Sequence, residues 1–167
     1  MILDRPLPEA CYSLRLLQPM GILVHFISAR ISAPNMPFDP QACFDILVAN
    51  KVSAHYMVLR NGDVWRLVPE KYQAWHAGKS RFRGVDSLNA TFLGIEFIGA
   101  VDAEFEDAQY SAGAALVRDL MARHAIATNR IKGHEQVSGA RVRTDFKEDP
   151  GPCFDWLRFG ALVANDA

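Results

Sequence analysis

The chain has 167 residues, half of them apolar, and a net charge of -1. That suits one folded domain with a sizeable core and excludes a disordered chain. It also argues against a nucleic-acid partner, which needs a concentrated basic face; Lys and Arg cluster only around Lys79–Arg83 and Arg141–Arg143. Three cysteines (Cys11, Cys43 and Cys153) with no CxxC make neither a disulfide framework nor a zinc finger, and read as reduced thiols. The opening "MILDRPLPEACYSLRLLQPM" is broken by charges and prolines, unlike a secretory leader. No run reaches the roughly 20 apolar residues of a membrane span. The expectation is a cytoplasmic protein, a single domain over 1–167 with its core at 21–160.

The first clear element is "GILVHFISA" (Gly21–Ala29), a short apolar run with the profile of a buried strand. "DPQACFDILVANK" predicts a helix with Asp39 as N-cap, Pro40 in its first turn, and Phe44, Leu47 and Val48 on one face. In "AHYMVLRNGDVWRLV", two β-rich runs flank Asn61-Gly62, a strong hairpin signal. "TFLGIEFIGA" (Thr91–Ala100) is a further strand. A long helix follows over Asp107–His124, with Ala115, Leu116, Leu120 and Met121 at helical spacing. "NRIKGHEQVSG" reads as a short strand or turn entering a loop, and a last helix is expected over Cys153–Ala164. This order predicts an α/β domain, a central mixed β-sheet flanked by helices.

Several titratable residues sit oddly in that pattern. His25 lies mid-strand among apolar neighbours, as a satisfied core histidine or as a ligand. His124 ends the long helix, where an imidazolium suits the helix dipole. Glu96 interrupts an apolar strand, and alternation puts it on one face with Gly94 and Ile98. Buried carboxylates are rare unless paired, metal-bound or functional, although a solvent-facing glutamate is the plainer alternative. In "KEDPGP", Lys147 and Asp149 are two apart in a segment stiffened by Pro150 and Pro152, so both point to one side. Two histidines and one aspartate would give zinc three protein ligands and an open fourth position, the composition of a hydrolytic site. The residues alone carry the reading no further than a possible zinc hydrolase.

Five blocks in order, "ILVHFISA", "KVSAHYMVLRNGDVWRLVPEKYQAWHAGKS", "NATFLGIEFIGA", "KGHEQVSG" and "KEDPGPCFDW", resemble the zinc-dependent N-acetylmuramoyl-L-alanine amidases of the amidase-2 type. That family includes cytosolic peptidoglycan-recycling amidases, their periplasmic relatives, T7-type phage lysozymes and animal peptidoglycan recognition proteins. The resemblance implies a zone at one edge of the sheet where Zn2+ is held by His25, His134 and Asp149. It implies Glu96 and Lys147 as catalytic residues. It places Trp75, His76 and Asn89 on the substrate side, with muropeptides or cell wall as the partner. Ala54 stands where T7-type members carry a catalytic tyrosine, so the chain resembles the glutamate-using branch. The segment from His134 to Asp149 is longer than expected, and its Arg141 would either meet a substrate carboxylate or be solvated. A binding module without catalysis and a phage-type lysin acting on intact wall are the alternatives.

Overall fold

In a computed structural model, residues 1–138 and 147–165 are described. Ten strands and three α-helices are present among them: β1 (Ile2–Asp4), β2 (Tyr12–Leu14), β3 (Gly21–Ile27), α1 (Pro40–Asn50), β4 (Tyr56–Val58), β5 (Val64–Arg66), β6 (Tyr72–Ala74), β7 (Arg81–Phe82), β8 (Val85–Asp86), β9 (Phe92–Ile98), α2 (Asp107–His124), β10 (Ile131–Gly133) and α3 (Trp156–Ala164). Six of the strands form one sheet in the order β1-β5-β4-β9-β3-β10; β2 pairs with β6 and β7 with β8 in two small ribbons.

The sheet is mixed. The β4–β5 pair is the hairpin expected at Asn61-Gly62 and is antiparallel, whereas β4, β9, β3 and β10 run parallel. Gly62 adopts φ 85°, the left-handed region that the tight turn demands and glycine tolerates. Parallel neighbours need crossovers. β3 reaches β4 through α1, passing over β9, while β9 reaches β10 through α2, passing over β3 in the opposite direction. Right-handed crossovers in opposite directions place their helices on opposite faces of the sheet. The core divides accordingly. Val24, Ile95 and Phe97 pack with α2 and α3, and Met57, Trp65 and Ile98 pack with Cys43 and Leu47 of α1.

The helix ends have local causes. Asp39 caps α1, its carboxylate accepting from Ala42 N at 2.8 Å. Gln109 closes a capping box at the start of α2 and donates to the Ile98 carbonyl at 3.0 Å, tying that helix to β9. The inward face of α2 is Tyr110, Gly113, Ala114, Leu116, Val117 and Leu120, whereas Ala115 points to solvent. α3 begins at Trp156, three residues later than the sequence suggested, because Asp155 accepts from Arg158 N at 2.9 Å and sets the N-cap there. No helix among the described residues is long and apolar enough to cross a membrane.

Candidate metal centre

Three adjacent parallel strands build the site by register alone. His25 of β3 lies opposite Glu96 of β9, and β10 pairs Gly133 with Val24, so the next residue, His134, comes up beside His25. Side chains at paired positions share a face, and Glu96, His25 and His134 form a row on the α1 side of the sheet. β10 is the edge strand, so the row ends at one edge of the sheet, as expected. Asp149 enters from the C-terminal turn. The Glu135 backbone N–H, next to His134, donates to the Asp149 carbonyl at 3.0 Å and fixes that turn against the edge.

Asp149 Oδ2 lies 2.7 Å from His25 Nδ1 and 3.2 Å from His134 Nδ1. One donor atom from each of His25, His134 and Asp149 falls within 4.8 Å of the others. The histidines are 2% and 4% exposed, so their rings are buried at the edge of the sheet. Burial holds the His25 imidazole below its ordinary pKa, against the pull of Asp149. Burial pushes the Asp149 carboxyl up, but hydrogen bonds with His134 and His25 outweigh it and leave it below the usual carboxylate range. A neutral imidazole and an anionic carboxylate are the ligand forms of these groups. Two nitrogens and one oxygen on three sides suit zinc with its fourth position open, and the residues present fit that ion.

Glu96 is 9% exposed, and its Oε2 has no hydrogen-bond partner. Burial, with added repulsion from Asp149, raises its pKa well above the ordinary value, opposed by the charge of Lys147. These five residues line one cavity of about 410 Å³, a volume in the range of small-ligand sites. Trp75, His76 and Asn89 line it too, with the apolar Phe26, Leu47 and Val52. Lys147 and Asp149 both face this cavity, and no ion pair joins them.

The remaining expected residues are placed as follows. His76 Nδ1 is 3.1 Å from His25 Nε2, and its own Nε2 is 3.3 Å from the Phe92 carbonyl. Asn89 turns its side-chain oxygen to the backbone N–H groups of His76 and Ala77, at 2.9 and 2.7 Å. Trp75 donates through Nε1 to Ser13 Oγ at 3.2 Å. Arg141 lies outside the described residues. His55 is buried away from the cluster and accepts from Gly94 N at 2.9 Å. His124 sits in the last turn of α2, paired with Glu70. Cys153 is a free thiol outside the ligand group. Two features of the site had no sequence signal. The Ala77 carbonyl, 3.1 Å from His134 Nε2, is a backbone atom and independent of residue type. Phe26 and Val52 look like any core residues until the cavity beside them is seen.

The profile of the amidase-2 family, described as N-acetylmuramoyl-L-alanine amidase, matches residues 16–152. The Salmonella typhimurium 1,6-anhydro-N-acetylmuramyl-L-alanine amidase AmpD is 40% identical over 128 residues, covering 75% of this chain and 66% of that protein. The N-acetylmuramoyl-L-alanine amidase AmiD of Escherichia coli K12 is 37% identical over 126 residues, 66% of this chain and 44% of its own length. The chain thus spans about two thirds or less of these curated relatives. Among solved structures, a selenomethionine derivative of AmpD superposes with a TM-score of 0.78 at 34% identity, covering 96% of this chain and 94% of that one. AmiD from E. coli, in complex with the substrate anhydro-N-acetylmuramic acid-L-Ala-D-gamma-Glu-L-Lys, gives a TM-score of 0.63 at 32% identity, covering 88% and 59%. With the profile spanning most of its length and the His/His/Asp group at the sheet, the chain belongs to the amidase-2 family of N-acetylmuramoyl-L-alanine amidases.

Proposed function

We propose that the chain is a zinc-dependent hydrolase of the amide between N-acetylmuramic acid, in its 1,6-anhydro form, and L-alanine of the stem peptide. The observation that carries this reading is the row of Glu96, His25 and His134 with Asp149 at the floor of one cavity. The AmpD relatives carry the anhydro-muramyl activity in their names, and the AmiD complex holds an anhydro-muropeptide.

His25, His134 and Asp149 would hold the metal. Zinc, when bound, would polarise the scissile carbonyl, acidify water and draw Glu96 toward its anionic form. Glu96 accepts the proton of the attacking water as its oxygen bonds to the carbonyl carbon. It then delivers that proton to the alanine nitrogen as the C–N bond breaks, and the proton left on the new carboxyl passes to the amine, leaving a muramic acid carboxylate and a peptide ammonium. Lys147, lining the same cavity, offers its ammonium to the carbonyl oxygen as negative charge develops there. Trp75, His76 and Asn89 bound the space for sugar or peptide, and Phe26, Leu47 and Val52 add apolar lining to it. A recycling role in the cytosol is the corresponding biological setting.

The test is mass spectrometry of an anhydro-muropeptide incubated with the zinc-loaded chain, with and without a chelator. Free stem peptide appearing only without chelator is the expected result. Intact muropeptide that stays bound to the chain would replace this reading by a binding module.

A further inference from the structure

Each imidazole of the candidate metal centre spends its second nitrogen on the same short segment. His134 Nε2 faces the Ala77 carbonyl at 3.1 Å. A carbonyl only accepts, so His134 carries its proton on Nε2 and turns the Nδ1 lone pair toward Asp149. The His25 side is one step longer. His76 Nε2 faces the Phe92 carbonyl at 3.3 Å and must donate to it, which leaves His76 Nδ1 as an acceptor. His25 Nε2, 3.1 Å away, therefore donates to His76, and the His25 Nδ1 lone pair also turns toward Asp149. Two lone pairs and a carboxylate oxygen then meet at one point, an arrangement that only a cation reconciles.

The segment is itself held. Asn89 Oδ1 accepts from both His76 N and Ala77 N. The His76 ring lies on Gly94, where a Cβ would stand 2.5 Å from its Cγ, so a side chain at 94 would displace the ring. Arg15 shares the Phe92 carbonyl at 3.4 Å and also donates to the Ala90 carbonyl at 2.7 Å, fixing the far end of the relay.

We infer that His76 and Asn89 are positioning residues of the metal centre: His76 sets the tautomer and ring orientation of His25, and Asn89 locks the Trp75–Ala77 segment that serves both ligating histidines. This rests on the zinc reading above and assigns the two residues a task beyond bordering the substrate space. Outer-shell partners of ligating histidines typically change metal affinity about 10- to 100-fold when removed.

The experiment uses the full chain without substrate. Zinc affinity is measured by competition with a chelator for the parent, His76→Leu and His76→Asn. The asparagine keeps an acceptor where His76 Nδ1 lies. His76→Leu is expected to weaken zinc binding about 10- to 100-fold and His76→Asn to recover most of the loss. In ¹⁵N-edited NMR of the zinc-loaded parent, the His25 Nε2 proton is expected to exchange slowly with water. In His76→Leu it is expected to be lost to exchange while that of His134 persists. Parent-level zinc affinity in His76→Leu overturns the inference, as does an asparagine variant as weak as the leucine one. Should His76→Leu fail to fold, Asn89→Ala against Asn89→Asp decides. The aspartate keeps the acceptor oxygen and is expected to keep the metal, and an alanine variant that binds zinc like the parent overturns the inference. A parent that takes up no zinc refutes the zinc reading itself, a result distinct from all of these.

Discussion

Glu96→Gln separates what the site does for folding from what it does for chemistry. The substitution keeps the shape of a buried side chain and removes its charge. In the metal-free chain, Glu96 Oε2 has no partner, and both burial and Asp149 disfavour its anion. Ionising a buried carboxylate without a partner costs at least about 1–3 kcal/mol, a penalty the uncharged glutamine never meets, so the glutamine should stabilise the metal-free chain by that order once the pH is high enough to ionise the parent. For a chain of this size the gain corresponds to a melting temperature higher by about 2–12 °C. The sign with pH follows from the raised folded pKa. The parent is unpenalised below the unfolded value of 4.5 and loses stability as pH rises above it toward the folded value, so the gap should open from about pH 5 upward and close on acidification. Hydrolysis moves the other way: without a proton acceptor, muropeptide cleavage by the zinc-loaded variant should fall about 10²- to 10⁴-fold. Circular dichroism melts in chelator at several pH values, alongside mass-spectrometric cleavage assays, measure both. A variant that melts lower than the parent in chelator, or cleaves at the parent rate, refutes the reasoning.

Two further outcomes are expected. His25→Ala removes a ligand and should lower zinc content by elemental analysis, with affinity reduced beyond the about 100-fold that outer-shell changes reach; full zinc occupancy would remove His25 from the ligand set. Glu70→Gln probes a site remote from the metal. Burial pushes Glu70 up, but hydrogen bonds from Arg123, Tyr56 and His124 outweigh it and bring it to about 2. The shift amounts to about 3 kcal/mol before screening, and about 1–2 kcal/mol after it, since Arg123 is partly exposed. A depressed carboxylate stabilises above its unfolded pKa and loses that contribution as pH falls through the folded one. The parent's advantage in urea melts should therefore shrink between about pH 5 and pH 2, and a pH-independent gap would refute the assignment.

The parts of this structure that were legible in the sequence are those with a repeating period or a cap. Asn61-Gly62 marked the hairpin, Asp39 and Pro40 the start of α1, and α2 spans the predicted Asp107–His124. Strand alternation placed Glu96 on one face, and register does bring it beside His25. The N-terminal strands were not legible. A three-residue strand such as β1 or β2 is too short to show a period, and Ile2 and Leu14 are largely exposed, so no apolar pattern marks them. The candidate ligand set was suggested only by resemblance, because His25, His134 and Asp149 are scattered along the chain and meet through sheet register and the C-terminal turn. The role proposed for the Trp75–Ala77 segment was hidden for a different reason: most of its hydrogen bonds are made by backbone atoms.

The β2–β6 ribbon, described above as a minor sheet, has a mechanical meaning. Tyr12 pairs with Ala74, so the ribbon ends one residue before Trp75. Ser13 takes the Trp75 indole N–H, and Ser53 accepts from Trp75 N while donating to the Cys11 carbonyl. The chain's opening residues thus act as a splint on the segment proposed to aim the metal ligands, although none of them lines the cavity. Proteolytic nicking around Ser13 would unload that splint and be felt at the ligands while the six-stranded sheet kept its central strands intact.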